Sequence, residues 1–231
     1  MQIDTGISYI EHGLKSAIKG MQIQNQIVNL ANENVIGFDK VGYQRKEIVN
    51  SSFQEFMGAD AMSTVVDDKV GRIVFSDQPL DLALANKGYF QIQEGAGVKL
   101  TRDGRFKIDK EGNLLTLEDH KVLSESGAPI KLPFVPDNIE KIKVTDDGKI
   151  KVFNDKTLKL VPVATLGIVD SHNVLVEEPV IKQGYCEFSN VSMATEFMDM
   201  MPVIRNFEAN RQLFLIQNQT LQKVINQLGQ V

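Results

Sequence analysis

Tryptophan is absent from this 231-residue chain, and cysteine occurs once, at Cys186. No disulfide can close within the chain, and a lone thiol reads first as a small buried hydrophobe. The missing indole weakens any case for stacking on sugars. Long apolar runs are missing too. The longest uncharged apolar run, residues 160–169, contains Pro162 and Gly167 and falls well short of the roughly 20 residues of a bilayer span. The N-terminal residues have no basic start and no apolar segment, and they carry Asp4 and Glu11, unlike a secretory signal. A cytoplasmic protein fits, as does one exported without signal cleavage. No block of like charge occurs, and the net charge is −5. Nucleic acid is therefore not the expected partner, because phosphate recognition needs a concentrated basic surface.

Catalytic and metal-binding constellations are equally scarce. His12, His120 and His172 have no ligand spacing to Cys, Asp or Glu partners, so no metal or cofactor is expected. Asp77, Asp81, Asp103 and Asp109 read as turn or surface carboxylates. A hydrolase using Asp77 and Asp81 as acid and base has only the number of carboxylates behind it. Glycine-rich segments here have the form of hairpin turns, not of a phosphate-binding loop.

What is present is concentrated at the two ends. Ile3, Ile7, Ile10, Leu14, Ala17, Met21, Gln24, Val28 and Ala31 alternate in steps of four and three. So do Met193, Phe197, Met200, Ile204, Phe207, Arg211, Phe214, Asn218, Leu221, Ile225 and Leu228. This is the spacing of a coiled-coil seam. It predicts a helix over about 5–34, capped by Asp4 or Thr5, and another over about 190–228, capped by Ser189, Asn190 or Ser192. Gly37 is expected to end the first helix with a positive φ. Pro202 is expected to kink the second. Arg211 and Asn218 are polar seam positions of the kind that fix register. The non-seam positions are rich in amides, among them Gln22, Asn25, Gln26, Asn29 and Asn32, which suits faces that meet neighbours, where charge is costly to bury. Neither helix is expected to be stable alone. Burying each large seam side chain contributes about 1.5–3 kcal/mol, and pairing the helices with each other or with other subunits supplies that burial.

Between the ends the period changes to two. Residues 89–93 and 98–102 flank Gly95-Ala96-Gly97, and residues 141–145 and 149–153 flank Asp146-Asp147-Gly148. Such turns between alternating runs predict antiparallel hairpins. Asp103-Gly104 and Gly112-Asn113 punctuate two further short strands. The outward lysines of the late hairpin discourage edge pairing. The fold expected is α+β: terminal helices pairing as a coiled coil around a mainly antiparallel β domain. The divisions read as an N-terminal helix over 1–36, an irregular extended arm over 37–76 with Phe53, Phe56 and Met57 as anchors, a β-rich core over 77–188 and a C-terminal helix over 189–231.

Five segments, in order, resemble the bacterial flagellar rod, hook and hook-associated family. Residues 29–38, NLANENVIGF, are similar to "NLANxNTxGFK". Residues 78–84, QPLDLAL, with KGYFQ at 87–91, are similar to "PLDxAIxGxGFF". TRDGRF at 101–106, with Gly112-Asn113-Leu114, is similar to the "TRDGxFxxDxxGxL" hairpin. QGYCEFSNV at 183–191 is similar to "QGxLExSNV", and RNFEAN at 205–210 to "RxYExN". Val35, Ile36 and Asp39 depart from the pattern. The short length and simple core are those of a rod protein, of proximal or distal type.

The resemblance implies a structural subunit of the flagellar basal-body rod, with no enzymatic activity. It implies export through the flagellar type III apparatus and helices that fold on assembly into the tube around the export channel. Its partners are copies of itself and other axial rod and hook proteins. It assigns Asn29, Leu30, Ala31, Asn32, Asn34, Gly37 and Phe38 to assembly or export, and Arg205, Glu208 and Asn210 to the C-terminal motif. A free β binding module dimerised by a coiled coil is the alternative.

Overall fold

The computed structural model describes residues 2–50, 62–155 and 157–228, with side chains described over 12–49, 63–155 and 157–226. Ile3, Ile7, Ile10, Phe53, Phe56, Met57 and Leu228 lie outside the described side chains. Helix α1 covers Gln2–Gly37 and α2 covers Met193–Leu228. Between them run β1 (Lys46–Asn50), β2 (Met62–Val66), β3 (Arg72–Phe75), β4 (Leu82–Leu84), β5 (Tyr89–Glu94), β6 (Gly97–Thr101), β7 (Phe106–Ile108), β8 (Leu114–Thr116), β9 (Lys121–Val122), β10 (Ile142–Val144), β11 (Lys149–Asn154), β12 (Lys159–Thr165), β13 (Ile168–Val169), β14 (Ile181–Gln183) and β15 (Tyr185–Phe188). The class is α+β, with mainly antiparallel sheets and a helix at each end.

The chain divides into two compact units. One contains residues 1–35, 47–65 and 192–231; the other contains 36–46 and 66–191. The segment read from sequence as an irregular arm is shared between them. Its β1 and β2 pair with each other in the helical unit, while 66–76 belongs to the β-rich unit.

In the β-rich unit the hairpins form where glycine supplies the turn. β5 and β6 pair from Phe90↔Thr101 to Glu94↔Gly97, with Gly95 at φ 61°. The turn is one residue tighter than expected, because Gly97 already belongs to the strand. β10 and β11 pair through Val144↔Ile150, and Gly148 takes φ 86°. On this hairpin Ile142, Ile150 and Val152 point inward while Lys143 and Lys149 are exposed. Alternation therefore places the apolar set on one face, as the period-two reading requires. The core gathers Leu82, Leu84, Phe90, Phe106, Val122 and Ile150, with Phe90 and Phe106 edge-to-face at 5.2 Å.

Both ends of α1 differ from the sequence reading, whereas the start of α2 agrees with it. α1 starts at Gln2, ahead of Asp4 and Thr5, so neither of these stands at an N-cap. Gly37 is its last residue and has no positive φ; the first left-handed residue after it is Gly42, at φ 71°. Gly37 is needed for space instead, since a Cβ there would overlap the Tyr43 ring. Ser192 caps α2: its Oγ accepts from the Thr195 N–H at 3.4 Å and its carbonyl from the Glu196 N–H at 3.0 Å. Pro202 lies inside an unbroken α2. Its missing N–H deletes one helical hydrogen bond without ending the helix.

Candidate functional site

The helical unit carries the residues that the sequence singled out. Asn34 Nδ2 donates to Glu196 Oε2 at 3.2 Å, and both residues are almost fully buried. A Cβ on Gly20 would come within 2.6 Å of Asn210 Nδ2, and one on Gly13 would overlap the Gln217 amide. Gly13 to Gly20 is a step of seven residues, and so is Gln217 back to Asn210. Gly20 to Asn34 is fourteen, and so is Asn210 back to Glu196. The contacts thus run in opposite chain directions at heptad spacing.

Burial follows the same rows. On α1 the less exposed positions include Gly13, Ala17, Gly20, Gln24, Ile27, Ala31 and Asn34; on α2 they include Glu196, Met200, Val203, Asn210, Phe214, Gln217, Leu221 and Val224. The sequence reading named one row of each helix: Ala17, Gln24 and Ala31 on α1, and Met200, Phe214 and Leu221 on α2. The companion row lies one residue earlier than expected on both. Leu14, Met21 and Val28 are half-buried, each one residue after Gly13, Gly20 and Ile27. Phe197, Ile204 and Ile225 are 54%, 43% and 58% exposed, and Phe207 is 38% exposed. Of the two polar positions expected on the seam, Arg211 is exposed and Asn218 half-buried. The reason is physical. A search for large apolar residues passes over glycine, yet glycine lets two backbones approach and gives an amide side chain a slot.

The 29–38 segment divides by direction. Ala31 and Asn34 are buried, Leu30 and Phe38 half-buried, and Asn29 and Asn32 exposed. Gly37 is buried beneath Tyr43. In the C-terminal motif Arg205 and Glu208 are exposed, while Asn210 lies over Gly20.

A second constellation, in the β-rich unit, was not among the expected sites. Arg102 Nη2 lies 2.6 Å from Glu187 Oε2, and both side chains are buried. The guanidinium also donates to the carbonyls of Gly88 (2.6 Å), Asn86 (2.9 Å) and Leu84 (3.3 Å). Glu187 Oε1 accepts from the Gly71 N–H at 2.8 Å, and the Glu187 carbonyl from the Gly42 N–H, also at 2.8 Å. Asn190 accepts from the Arg45 N–H at 2.7 Å and donates to the carbonyls of Asp67 (3.0 Å) and Lys69 (3.1 Å). Glycine permits the convergence: a Cβ on Gly71 would overlap the Phe188 carbonyl, and one on Gly104 the Leu82 carbonyl. The TRDG, KGY and CEFSN segments thus meet at one buried ion pair. A charged residue inside an alternating run was the available signal.

Cys186 is buried, and its thiol donates to Asp81 Oδ2 at 3.0 Å. Burial, reinforced by the Asp81 carboxylate, pushes its pKa up to about 11. That is the reverse of an activated nucleophile. Among the described residues no cluster of His, Cys, Asp or Glu has the form of a metal site, and no helix is long and apolar enough to cross a membrane. A recess among Leu82, Phe106, Leu114 and Ile142 is lined by apolar side chains and offers no convergent polar groups to a substrate.

Two family descriptions match the chain. "Flagellar hook protein FlgE/F/G D1 domain" matches residues 83–152, and "Flagellar basal body rod FlgEFG protein C-terminal" matches residues 182–228. The flagellar basal-body rod protein FlgF of Mesorhizobium japonicum is 30% identical over 217 residues, covering 87% of this chain and 89% of the relative. The rod protein FlgG of Bacillus subtilis is 25% identical over 256 residues, covering 91% and 96%. FlgF of Rhizobium meliloti is 26% identical over 250 residues, covering 95% and 99%.

Proposed function

The chain belongs to the flagellar basal-body rod protein family and is a structural subunit of that rod; from this premise we propose that it polymerises through its two terminal helices. The observation that carries the proposal is the outward apolar face of α2. Phe197, Met201, Ile204, Ile216 and Ile225 are each more than two-fifths exposed. Large apolar side chains gathered on an exposed surface mark a protein interface. From Gln212 onward the helix carries one charge, Lys223, so little desolvation cost opposes packing against a neighbour.

In this reading α1 and α2 pair as an antiparallel coiled coil. Support comes from the Asn34–Glu196 hydrogen bond and from the two glycine slots. The outward rows of the pair face copies of this chain and other rod and hook subunits. Ordering two long helices costs conformational entropy that burial against neighbours offsets. The chain is exported through the flagellar type III apparatus without signal cleavage, and its helices complete their folding on assembly. Asn29 and Asn32, exposed on α1, remain available for export recognition or for a neighbouring subunit. The free coiled-coil module is the less favoured alternative, because a dimer alone leaves the outward row of α2 uncovered.

Mass spectrometry of hook–basal bodies purified from the source organism tests this reading. The chain is expected at stoichiometric level in intact particles. Its absence from them would overturn the proposal.

A further inference from the structure

The helix pairing proposed above leaves its register to be explained. We infer that the buried hydrogen bond between Asn34 and Glu196 specifies that register. The inference rests on the pairing and concerns what holds it in one alignment. Alanine and leucine seams slip readily by a heptad, because every layer then looks alike. Here the layers differ. In the observed alignment the two glycines face amides, Ile27 falls at the level of Val203, and the buried amide faces the buried carboxylate.

A slip of seven residues in one direction puts Asn34 opposite Val203 and Ile27 opposite Asn210. The buried amide loses its carboxylate, and an isoleucine meets an amide in place of a glycine slot. A slip in the other direction puts Glu196 opposite Ile27. A buried carboxylate then faces a branched aliphatic side chain, which is among the costliest juxtapositions in a protein interior. Each alternative alignment thus carries a specific penalty that the native one lacks, the device by which polar seam residues select register at some expense of stability. The glycines discriminate in one direction alone: the first slip sets Asn210 against Ile27, whereas the second sets Gln217 and Asn210 against Gly6 and Gly13, so the Glu196 carboxylate decides there.

The test places a small photoactivatable diazirine side chain at position 27 of the full-length chain, both free and in isolated basal bodies. The captured residue is mapped by mass spectrometry. In the parent chain capture is expected at position 203. In the Asn34→Leu, Glu196→Leu double variant the single product is expected to be lost, with new products seven residues away, at positions 196 and 210. Glu196→Gln keeps an acceptor oxygen and is expected to retain capture at 203. A double variant that still gives only the 203 product would overturn the register assignment and leave the pairing intact. A parent chain that captures no residue of α2, in either state, would overturn the pairing itself.

Discussion

A few buried polar residues tie distant segments of the chain together. Arg102 and Glu187 are the clearest case. Removing one partner leaves a charge buried without compensation, and such losses run to about 3–5 kcal/mol. Arg102→Met is expected to lower the unfolding free energy of the β-rich unit by that margin, read as a lower urea midpoint at unchanged slope. The double variant Arg102→Met, Glu187→Leu is expected to cost far less, as apolar replacement of a whole buried pair usually does. Equal losses in the two variants would show that the hydrogen bonds to the Leu84, Asn86 and Gly88 carbonyls, not the pair, dominate. Cys186 gives a pH prediction. Its thiol has an ordinary value of 9.0 and rises to about 11 in the fold, chiefly through burial. The native state therefore keeps its proton where the unfolded state gives it up, so this group's stabilisation is complete below pH 9 and is lost as pH climbs toward 11. Chemical denaturation across that range is expected to show a steeper loss in the parent than in Cys186→Val. The burial of Cys186 was legible from composition, but its partner Asp81 was not, because the two stand 105 residues apart.

At the scale of the elements, Pro202 and Gly20 make opposite predictions. Proline in a helix interior costs about 3 kcal/mol relative to alanine. Pro202→Ala is expected to slow amide hydrogen exchange over the flanking turns of α2, with no change in its ends. Gly20→Leu is expected to weaken the helical unit even though leucine is the better helix former, because the new side chain takes the space of the Asn210 amide. Loss of α1 protection in exchange measurements checks this; unchanged protection would mean the close approach at Gly20 contributes nothing. The hairpins were the most legible elements, since an Asp-Gly between alternating runs states both the turn and the face. The helices were legible as helices, but their contact rows were not. Period alone allows two neighbouring rows, and the large apolar residues drew the choice to Leu14, Met21, Phe197 and Ile204 rather than to Gly13, Gly20, Glu196 and Val203. Only the partner helix decides between such rows, and glycine gives no hydrophobic signal.

At the scale of the whole molecule, the motif segments serve two different ends. Those within 78–106 and 183–190 converge on the Arg102–Glu187 pair and hold the β-rich unit. Those at 29–38 and 205–210 lie mostly on the helices and share their residues between inner contacts and outward faces. That division was not visible in the sequence, where all five segments read alike as family signatures. Its consequence is that assembly and folding should separate. The measurement that decides this most directly is the incorporation of a Phe197→Glu, Ile204→Glu variant into hook–basal bodies, read by mass spectrometry beside the parent chain. The variant is expected to have a β-rich unit that melts as the parent's does and to be missing from the particles. Incorporation at the parent's level would contradict this expectation.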